Sequence, residues 1–483
     1  MPTVPTLVQR DEFTYEIPRG EVPGMRVPGR LFSNAALLSG VAGDPSLAQL
    51  ANVATLPGVL ECALAMPDIH FGYGFPVGGV AAFDLADGVV SPGGIGYDIN
   101  CGVRLLRTSL TVEEVRPKLA ALVERLYREV PSGVGSKGGR PLTPSTMDEV
   151  LAGGARWAVE QGMGRPADLA VQEEEGRHST AAPGAVSESA KKRGLRQLGS
   201  IGSGNHFLEV QSVDEIFEPE FASALGLEPG RVVVMLHTGS RGLGHQVATD
   251  YIQEMDRRLA SDGVTLVDRQ LSCAPVGSEA AQRYLTAMAA AANFAFANRQ
   301  VITDSVRRAF ATVLGRAADE LDLSVVCDIS HNMAKVEEHA VDGGRRRVLV
   351  HRKGATRAFP AGREEVPAPY RAHGQPVLIP GDMGTASYVL AGLPASLARS
   401  FGSSCHGAGR RLSRHAANRT FRYEDVTRGL AGRGIVVRST SREGVTEEAP
   451  GASKNVEDVV RVAEGAGLTR RVARLVPLGV VKG

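Results

Sequence analysis

Residues 93–104 read GGIGYDINCGVR, a stretch that sets an acid, an amide and a thiol within a run of glycines. Glycine adopts backbone angles that other residues avoid and lets the chain approach another group closely. Asp98 offers a hard oxygen ligand and Cys101 a soft sulfur ligand, so the loop could wrap a metal ion or a phosphate. An ordinary turn with a buried cysteine would show the same pattern, and this stretch alone leaves both interpretations open.

The composition is that of a globular protein with no strong charge bias. The chain has 483 residues, enough for one very large core or for two to three domains of about 150 residues each. Its net charge of +1 gives no argument for binding nucleic acid or a membrane, and an aromatic content of 5% provides few platforms for stacking bases. Basic clusters are local, and short runs of this kind are more often solvated faces than binding sites. They lie at residues 191–196, 343–348, 409–415 and 469–474.

The cysteines and the chain start predict a cytoplasmic protein. Five cysteines, an odd number with no CxxC pair, argue against a disulfide framework and for a reducing, intracellular setting. The first residues, MPTVPTLVQRDEFTYEIPRG, lack the apolar core of a signal peptide, and no segment reaches the roughly 20 apolar residues of a membrane span.

Periodicity predicts both helices and buried strands. Helical spacing runs over residues 111–130 and, with many alanines, over residues 279–315. Residues 131–204 are rich in Gly, Ser, Pro, Glu and Lys and predict a variable, partly mobile excursion within one large compound domain, residues 1–483. Short β-branched runs predict strands at residues 232–236, 323–327, 347–351, 376–380 and 435–439.

Four histidines stand at strand ends or in turns of small residues. His237 closes VVVMLH, His331 follows VVCDIS, His206 lies in GSGNHF and His406 in SSCHGAGR. A polar residue at the end of a buried strand commonly faces a ligand crevice. One such histidine alone is more often structural, but four of them together with the loop at residues 93–104 favour a site.

The donor types suit a pair of borderline divalent metals. Imidazoles, a thiolate and a carboxylate favour Mn²⁺ or Zn²⁺ over Mg²⁺, which prefers oxygen ligands. Five protein ligands are too many for one open centre but fit two metals that share the Cys101 thiolate, and metals about 4 Å apart can clamp both ends of a phosphoryl transfer. The residues alone do not decide which histidines bind metal and which one reacts.

Further side chains suit a nucleotide. In an extended segment Asn205, Phe207 and Glu209 lie on one face, and Glu209 can accept two hydrogen bonds, as from a guanine edge. The turn PGDMGTAS (380–387) offers N–H groups and Ser387, although such turns often bind nothing. Arginines close to the proposed ligands could hold phosphates by forked hydrogen bonds; these are Arg241, Arg410 and Arg414.

Eight motifs, in order from about Met66 to Gly483, resemble the RtcB-type RNA ligases, the tRNA-splicing ligase family. They read GYDINCGVR, GSGNHFLEV, HTGSRGLGHQ, DISHN, HRKGATRAFP, PGDMGTASYVL, SSCHGAGR and PLGVVKG. The resemblance implies an α+β fold, with mixed β-sheets surrounded by helices and a dimetal site in a central cleft. It also implies a ligase that uses GTP and two Mn²⁺ ions to join RNA 2′,3′-cyclic phosphate or 3′-phosphate ends to 5′-hydroxyl ends, in tRNA splicing or RNA repair. Some members need an archease-type activator.

The resemblance also implies roles for individual residues. His406 would attack the α-phosphate of GTP, giving a guanylylated histidine whose GMP passes to the RNA 3′-phosphate before the 5′-hydroxyl attacks. The metal ligands would be Asp98, Cys101, His206, His237 and His331, with Cys101 bridging. The GTP pocket would comprise Asn205, His206, Phe207, Leu208, Glu209, His331, Asn332, Pro380, Gly381, Asp382, Met383, Ser387, His406, Gly407, Ala408, Gly409 and Lys482.

Two positions depart from the family pattern, and both bear on nucleotide selectivity. Ser453 stands where a tyrosine often stacks on guanine, and Asp382 where a small or neutral residue is common. Outside the motifs, we expect His70 to pack and His245 to lie at a polar surface. Rival classes are an RNA-end binding protein without ligase activity and a metal-dependent phosphohydrolase that uses water as acceptor.

Overall fold

The structure is a computed structural model that describes residues 5–41 and 43–483, so residues 1–4 and 42 of the predicted domain lie outside the described residues. The strands are β1 Val8–Asp11, β2 Thr14–Ile17, β3 Gly29–Phe32, β4 Ala63–His70, β5 Val77–Asp84, β6 Val89–Val90, β7 Gly102–Thr111, β8 Phe207–Ile216, β9 Arg231–Thr238, β10 Ala274–Pro275, β11 Ser324–Ser330, β12 Asn332–Val341, β13 Gly344–Lys353, β14 Ala355–Arg357, β15 Pro376–Ile379, β16 Ser387–Gly392, β17 Ser403–Cys405, β18 Val436–Ser439 and β19 Thr469–Lys482. The helices are α1 Ala35–Val41, α2 Ser46–Val53, α3 Val112–Val115, α4 Leu119–Glu129, α5 Pro144–Gly153, α6 Ala155–Glu160, α7 Pro166–Leu169, α8 Glu188–Gly194, α9 Pro219–Leu225, α10 Arg241–Arg258, α11 Glu279–Leu314, α12 Ala395–Ser400, α13 Arg414–Thr420, α14 Tyr423–Gly432, α15 Arg442–Glu447 and α16 Val456–Gly465.

Two mixed sheets carry the fold, which confirms the predicted α+β class. One has seven strands in the order β1-β2-β3-β4-β5-β13-β12. The other has eight, in the order β11-β7-β9-β8-β19-β16-β15, with β18 pairing with β19 in parallel. A single residue, His331, separates β11 of the second sheet from β12 of the first. The chain therefore passes from one sheet to the other at a predicted site residue.

The predicted strands are present, but one of them is not buried. The four strands predicted at residues 232–236, 323–327, 347–351 and 376–380 fall in β9, β11, β13 and β15. The fifth, residues 435–439, forms β18, whose residues are half-buried or exposed because it pairs with β19 alone. Val437 and Ile435, which precedes the strand, pack beside α14 and α15 in a small cluster with Leu430 and Val445, whereas Val436 packs against the main core.

The helix predicted over residues 111–130 is divided into two. Thr111 caps α3 by accepting a hydrogen bond from Glu114 N, and a 3-10 turn at Arg116–Lys118 then separates α3 from α4. Pro117 explains the break, because proline has no N–H to continue a helical ladder. The predicted second helix is confirmed as α11, which runs for 36 residues and ends at Gly315, in the left-handed conformation at φ 69°.

Residues 131–204 contain the four helices α5 to α8, which pack against α10 and α11. A buried asparagine of α11 holds the end of this segment. Asn298 Oδ1 accepts hydrogen bonds from Gly199 N (2.7 Å) and Ser200 N (3.2 Å), and Asn298 Nδ2 donates to Ser200 O (3.0 Å). The segment thus leads in a fixed position into Asn205 and His206. None of the helices in the described part of the chain is long and apolar enough to cross a membrane.

A fully buried ion triad joins α11 to the larger sheet. Arg104 of β7 donates to Asp328 Oδ2 on β11 at 2.7 Å, and Arg299 of α11 donates to both Oδ1 and Oδ2, each at 2.8 Å. None of the three side chains is exposed. Arg299 also donates to the carbonyls of Asn100 (2.8 Å) and Thr238 (3.0 Å). One guanidinium therefore contacts the loop before β7, the end of β9 and, through Asp328, β11.

We expect Asp328→Asn to destabilise the fold strongly, because it leaves two buried guanidinium groups without a counter-charge. Breaking a buried ion pair by removing one partner costs about 3–5 kcal/mol. The midpoints of thermal and urea unfolding, followed by circular dichroism, measure the effect. Asp322→Asn is the matched control: Asp322 accepts a bond from Arg107 at 3.0 Å but is 46% exposed, so its loss should cost less than about 1 kcal/mol. Equal effects of the two variants would contradict this expectation.

Candidate active site

A cavity of about 480 Å³ lies where the two sheets meet. Its wall includes His70 and Val77 from the seven-stranded sheet and Phe207, Glu209 and His237 from the eight-stranded sheet. Loops from both halves complete it, among them the glycine-rich stretch at residues 93–104 and the segment that carries His406. The cavity therefore gathers residues that are far apart in the chain.

Strand register explains why the five predicted metal ligands converge. β7, β9, β8 and β11 are antiparallel neighbours, with Gly102 opposite both Thr238 and Ser330, and Phe207 opposite His237. The residues just before β7 and β8, at the end of β9 and just after β11 therefore meet at one edge of the sheet. These residues are Cys101, His206, His237 and His331, and Asp98 reaches the same point from the loop before β7.

The five side chains form two groups that share the Cys101 thiol. Cys101, His237 and His331 make one group, and Asp98, Cys101 and His206 make the other. Cys101 Sγ lies 3.2 Å from His206 Nε2 and 3.3 Å from His237 Nε2. His237 Nε2 lies 3.2 Å from His331 Nε2, and His206 Nε2 lies 2.9 Å from Asp98 Oδ2. The Nε2 atoms thus point at one another with the sulfur between them.

Backbone geometry holds the loop that carries two of these residues. Asn100 adopts a left-handed conformation with φ 53°, which asparagine tolerates better than most residues. Its N–H donates to Asn332 O (2.9 Å), and its buried side chain donates to Ala292 O of α11 (2.8 Å). Gly239 faces Asp98 so closely that a β carbon there would lie 2.5 Å from the carboxylate.

The electrostatics favour neutral imidazoles at His237 and His331 and a protonated thiol at Cys101 before any metal binds. Burial, and then neighbouring cationic groups, hold the pKa of His237 and His331 well below the ordinary value. Burial, and then the Asp98 charge, raise the pKa of Cys101 well above its ordinary value. Burial opposes ionisation of Asp98, but the hydrogen bond and charge interaction with His206 outweigh it and lower the Asp98 pKa. The donor set is therefore three imidazoles, one thiol and one carboxylate, which fits a pair of borderline divalent ions.

His406 stands next to this cluster and is oriented by a carboxylate that the sequence reasoning missed. Its ring centroid lies 4.6 Å from that of His331. Asp68 Oδ2 lies 2.6 Å from His406 Nδ1 and accepts a second bond from His406 N at 3.1 Å. Asp68 lies 338 residues away in the chain. Because a carboxylate can only accept, the Nδ1 proton faces Asp68 and the Nε2 lone pair is free.

Glu209, like Glu448, is a buried acid of the cavity wall. Its Oε1 accepts a hydrogen bond from Gln211 Nε2 (2.7 Å), which also donates to Ser387 Oγ (3.0 Å). Burial raises the pKa of Glu209 to about 8, although the Gln211 bond and the charge of Lys482 act against it. Lys482 lies opposite Phe207 in β19, with its Nζ 5.6 Å from the Phe207 ring centroid.

Nearly all of the predicted site residues line this cavity. The exceptions are Leu208 and Ser387. Leu208 packs in the core because side chains of a strand alternate between faces, so Phe207 and Glu209 point one way and Leu208 the other. Ser387 lies behind the wall, where its hydroxyl accepts from Gly381 N (3.2 Å) and so supports the turn at residues 380–387.

The three predicted phosphate-binding arginines line the cavity, and they differ in the contacts that they make within the protein. Arg241 donates to Gly133 O and Ser136 Oγ, both at 3.1 Å, so its guanidinium is tied to the segment after α4. Arg410 is paired with Glu448 at 2.6 Å. Arg414 is more exposed and lies 3.8 Å from Glu447, which makes it the least constrained of the three.

The two departures from the family pattern both lie in the cavity wall. Ser453 forms an isolated β-bridge with Arg410. Asp382 accepts a hydrogen bond from Gly384 N (2.9 Å), so its carboxylate partly caps its own turn, and burial raises its pKa.

Several cavity residues lacked a signal in the sequence or were assigned elsewhere. His70 and His245, expected in packing or surface roles, line the cavity, as do Tyr97 and Lys353. Spacing in the sequence does not indicate these positions: Lys353, the last residue of β13, is held by donating to Phe75 O (3.0 Å) in the loop between β4 and β5. The available signal in the sequence is that Lys353 lies in the stretch HRKG (351–354) and His70 in the stretch PDIH (67–70).

The fold and the cavity define a class: an α+β protein with a thiol- and histidine-rich candidate dimetal centre beside a carboxylate-oriented histidine. The chain belongs to the RtcB family, because the family model described as tRNA-splicing ligase RtcB matches residues 49–483. A tRNA-splicing ligase RtcB of Thermococcus kodakarensis is 56% identical over 473 residues, 98% of each chain. One of Archaeoglobus fulgidus is 52% identical over 472 residues, also 98% of each. An RNA-splicing ligase RtcB of Mycobacterium tuberculosis is 54% identical over 438 residues, 90% of this chain and 100% of that one.

We expect ionisation of Glu209 to reduce stability between about pH 5 and 8. An unfolded glutamate titrates near 4.3, so in this window the unfolded chain has lost a proton that the folded chain keeps, and the free energy of unfolding falls as pH rises. Glu209→Gln should therefore be more stable than wild type at pH 8, by roughly 1 kcal/mol or more. Unfolding midpoints across this range test it, with Glu215→Gln, an exposed position of the same strand, as control. Parallel pH curves for wild type and Glu209→Gln would contradict the expectation.

Proposed function

We propose that this protein is an RNA ligase that uses GTP and Mn²⁺ to join 2′,3′-cyclic phosphate or 3′-phosphate RNA ends to 5′-hydroxyl ends. The observation that carries the proposal is the position of His406, fixed by Asp68 beside two ligand groups that share Cys101. The names of the relatives, tRNA-splicing and RNA-splicing ligases, support the substrate class. The reaction serves tRNA splicing or RNA repair in this proposal.

Two Mn²⁺ ions would be held by the two groups already described. Cys101, His237 and His331 would hold one ion, and Asp98, Cys101 and His206 the other, with the sulfur shared. When bound, such ions offset the negative charge of a triphosphate and of an RNA 3′-phosphate. Burial lowers the pKa of His237 and of His331 and so keeps these two imidazoles neutral, as metal binding requires.

His406 is the nucleophile in this proposal. Its Nε2 attacks the α-phosphorus of GTP, the bond to pyrophosphate breaks, and GMP remains on the ring. An oxygen of the RNA 3′-phosphate then attacks the same phosphorus and releases His406, and finally the 5′-hydroxyl attacks the activated 3′-phosphate and releases GMP. A cyclic phosphate is first hydrolysed to the 3′-phosphate. Asp68 keeps the proton on Nδ1 and thereby directs Nε2 to the phosphorus.

Glu209 would select the guanine of GTP. Its ionised carboxylate can accept from two adjacent N–H groups on the base edge, so guanine binding favours the ionised form of an acid that burial keeps largely protonated near neutral pH. Lys482 lies on the neighbouring strand and its charge acts in the same direction. Asp382 and Ser453 complete the wall, and with serine at position 453 selectivity depends on edge contacts rather than on a stacked tyrosine.

The deciding experiment is incubation with α-labelled GTP and Mn²⁺, followed by denaturing electrophoresis. We expect an acid-labile label on the wild-type protein and none on His406→Ala. Asp68→Asn should slow labelling by a factor on the order of 10² or more, because the amide no longer selects the productive tautomer. His415→Ala, an exposed histidine of α13, is the matched control and should label normally.

Other results would point to other classes of protein. An unlabelled wild type with bound Mn²⁺ would overturn the ligase proposal. If His406→Ala still released phosphate from RNA 3′-phosphate ends at the wild-type rate, water rather than a histidine-bound nucleotide would be the acceptor, as in a phosphohydrolase.

We expect Mn²⁺ binding to release about one proton per protein molecule from Cys101 at pH 7 to 8. The thiol pKa lies well above this range, whereas His237 and His331 are already neutral and release none. Apparent affinity should therefore rise with pH up to the thiol pKa. Titration calorimetry in buffers of different ionisation heat counts the protons. Cys101→Ala should lose the release and Cys273→Ala, a buried cysteine elsewhere, should keep it; a wild type that releases no proton would contradict the role of Cys101.

A further inference from the structure

Three aromatic rings form a cluster at the metal side of the cavity. The rings of Tyr97 and His245 are stacked, with centroids 4.6 Å apart and planes at 22°. Tyr73 supports Tyr97 from another direction at 5.4 Å and 58°. Phe, Trp and Tyr make up only 5% of this chain, and two of its nine tyrosines stand together here with a histidine ring, next to the Asp98 ligand group.

The cluster is open to the cavity and to solvent. Tyr97 and His245 both line the cavity, Tyr97 is half-buried and His245 is exposed. Phe71, on the loop that also carries Tyr73, is 54% exposed and is one of five exposed large hydrophobic side chains in the described part of the chain. The rings thus have free surface, unlike the aromatic pairs of the core.

Two arginines lie on the α8 and α10 side of the rings, whereas carboxylates act on the cluster elsewhere, Asp98 on His245 and both Asp256 and Asp268 on Tyr73. Arg241 lies one turn before His245 on α10, and Arg193 of α8 approaches the same helix by donating to Gln246 Oε1 at 2.9 Å. No carboxylate lies within ion-pair distance of Arg193 in the described residues. Arg193 belongs to the basic cluster at residues 191–196, for which the sequence alone favoured a solvated face.

We propose that Tyr97 and His245 form a stacking platform for the terminal base of an RNA end. The proposal rests on the proposed ligase function, since it places an RNA end beside His406 and the Asp98 group. Stacking on an aromatic ring is tolerant of sequence because every base has a π face, and flanking arginines can hold the backbone. A ligase that joins ends of different sequence needs recognition of this kind.

The guanine of GTP is a poor alternative occupant. The residues proposed to hold it come from β8, β19 and the turn before β16, whereas the three rings come from the loop after β4, the loop before β7 and α10. Tyr97 precedes Asp98 in the chain and Glu209 follows His206 by three residues, and Asp98 and His206 are joined at 2.9 Å, so this ligand group connects the two sets. If the phosphates of GTP lie at the metal ligand groups, its base can contact only one of the two sets of residues. With guanine at Glu209, the three rings remain for a base of the RNA.

The test uses short RNA strands with the fluorescent base 2-aminopurine at the terminal nucleotide. One strand ends in a 5′-hydroxyl and the other in a 3′-phosphate, and binding to the full-length protein with Mn²⁺ and without GTP is followed by fluorescence. Stacking should quench the fluorescence of one of the two strands, which identifies the end that uses the platform. His245→Ala should abolish the quenching and weaken Kd for that strand about tenfold.

Matched variants make the test specific. His245→Phe and Tyr97→Phe keep a ring and should keep the quenching, and Thr249→Ala, one turn further along α10, should behave as wild type. If His245→Ala binds and quenches both strands as wild type does, the platform is overturned. If His245→Ala instead loses labelling by α-labelled GTP, the rings serve the nucleotide and the proposal is also overturned. A wild type that takes no label would remove the ligase function itself, a result distinct from either.

Discussion

The buried carboxylate of Asp328, shared by Arg104 and Arg299, is the interaction on which the site depends. The ligand groups sit at the ends of β7, β8, β9 and β11, and strand pairing alone would let these ends fray because the ladder stops there. Arg299 closes the gap by bonding the carbonyls of Asn100 and Thr238, each one residue from a metal-ligand candidate. The helix that supplies Arg299 is buried over most of its length, so the guanidinium charge needs the Asp328 carboxylate as a counter-charge.

The site itself is costly to fold. Each of the ligand histidines has a buried Nδ1 with no partner within the protein, and three imidazoles and a thiol crowd within hydrogen-bond distance of one another. Such groups do not stabilise the fold unless they coordinate a cation. The polar side chains of α11 that support the neighbouring loops therefore offset a local loss of stability. Glu209 adds to that loss, because burial disfavours its ionised form. This pattern is expected where a cavity is kept ready for charged ligands.

Much of this architecture can be predicted from the sequence, and the failures have physical reasons. Runs of β-branched residues predict buried strands such as β9 and β11. His237 and His331 can be predicted as site residues because they stand at the ends of these strands, and strand ends commonly face a ligand crevice. The break between α3 and α4 at Pro117 was not predicted, because the helical periodicity continues on both sides of the proline. Asp68 could not be assigned a role, because its partner His406 comes from the opposite part of the chain. His245 is exposed, as expected, but its aromatic neighbour could not be predicted because only the packing of α10 against the loop before β7 brings Tyr97 to it.

The segment at residues 131–204 illustrates how composition can mislead about importance. Its polar, glycine-rich sequence predicts a variable, partly mobile excursion and by itself indicates no link to the site. In the fold it supplies the anchor for His206, because Asn298 binds Gly199 and Ser200 and because Gly133 and Ser136 accept bonds from Arg241. Arg241 in turn donates its N–H to Asp98 Oδ1 at 3.2 Å. A change in this segment is therefore transmitted to the Asp98 and His206 ligand group through hydrogen bonds alone, without passing through the hydrophobic core.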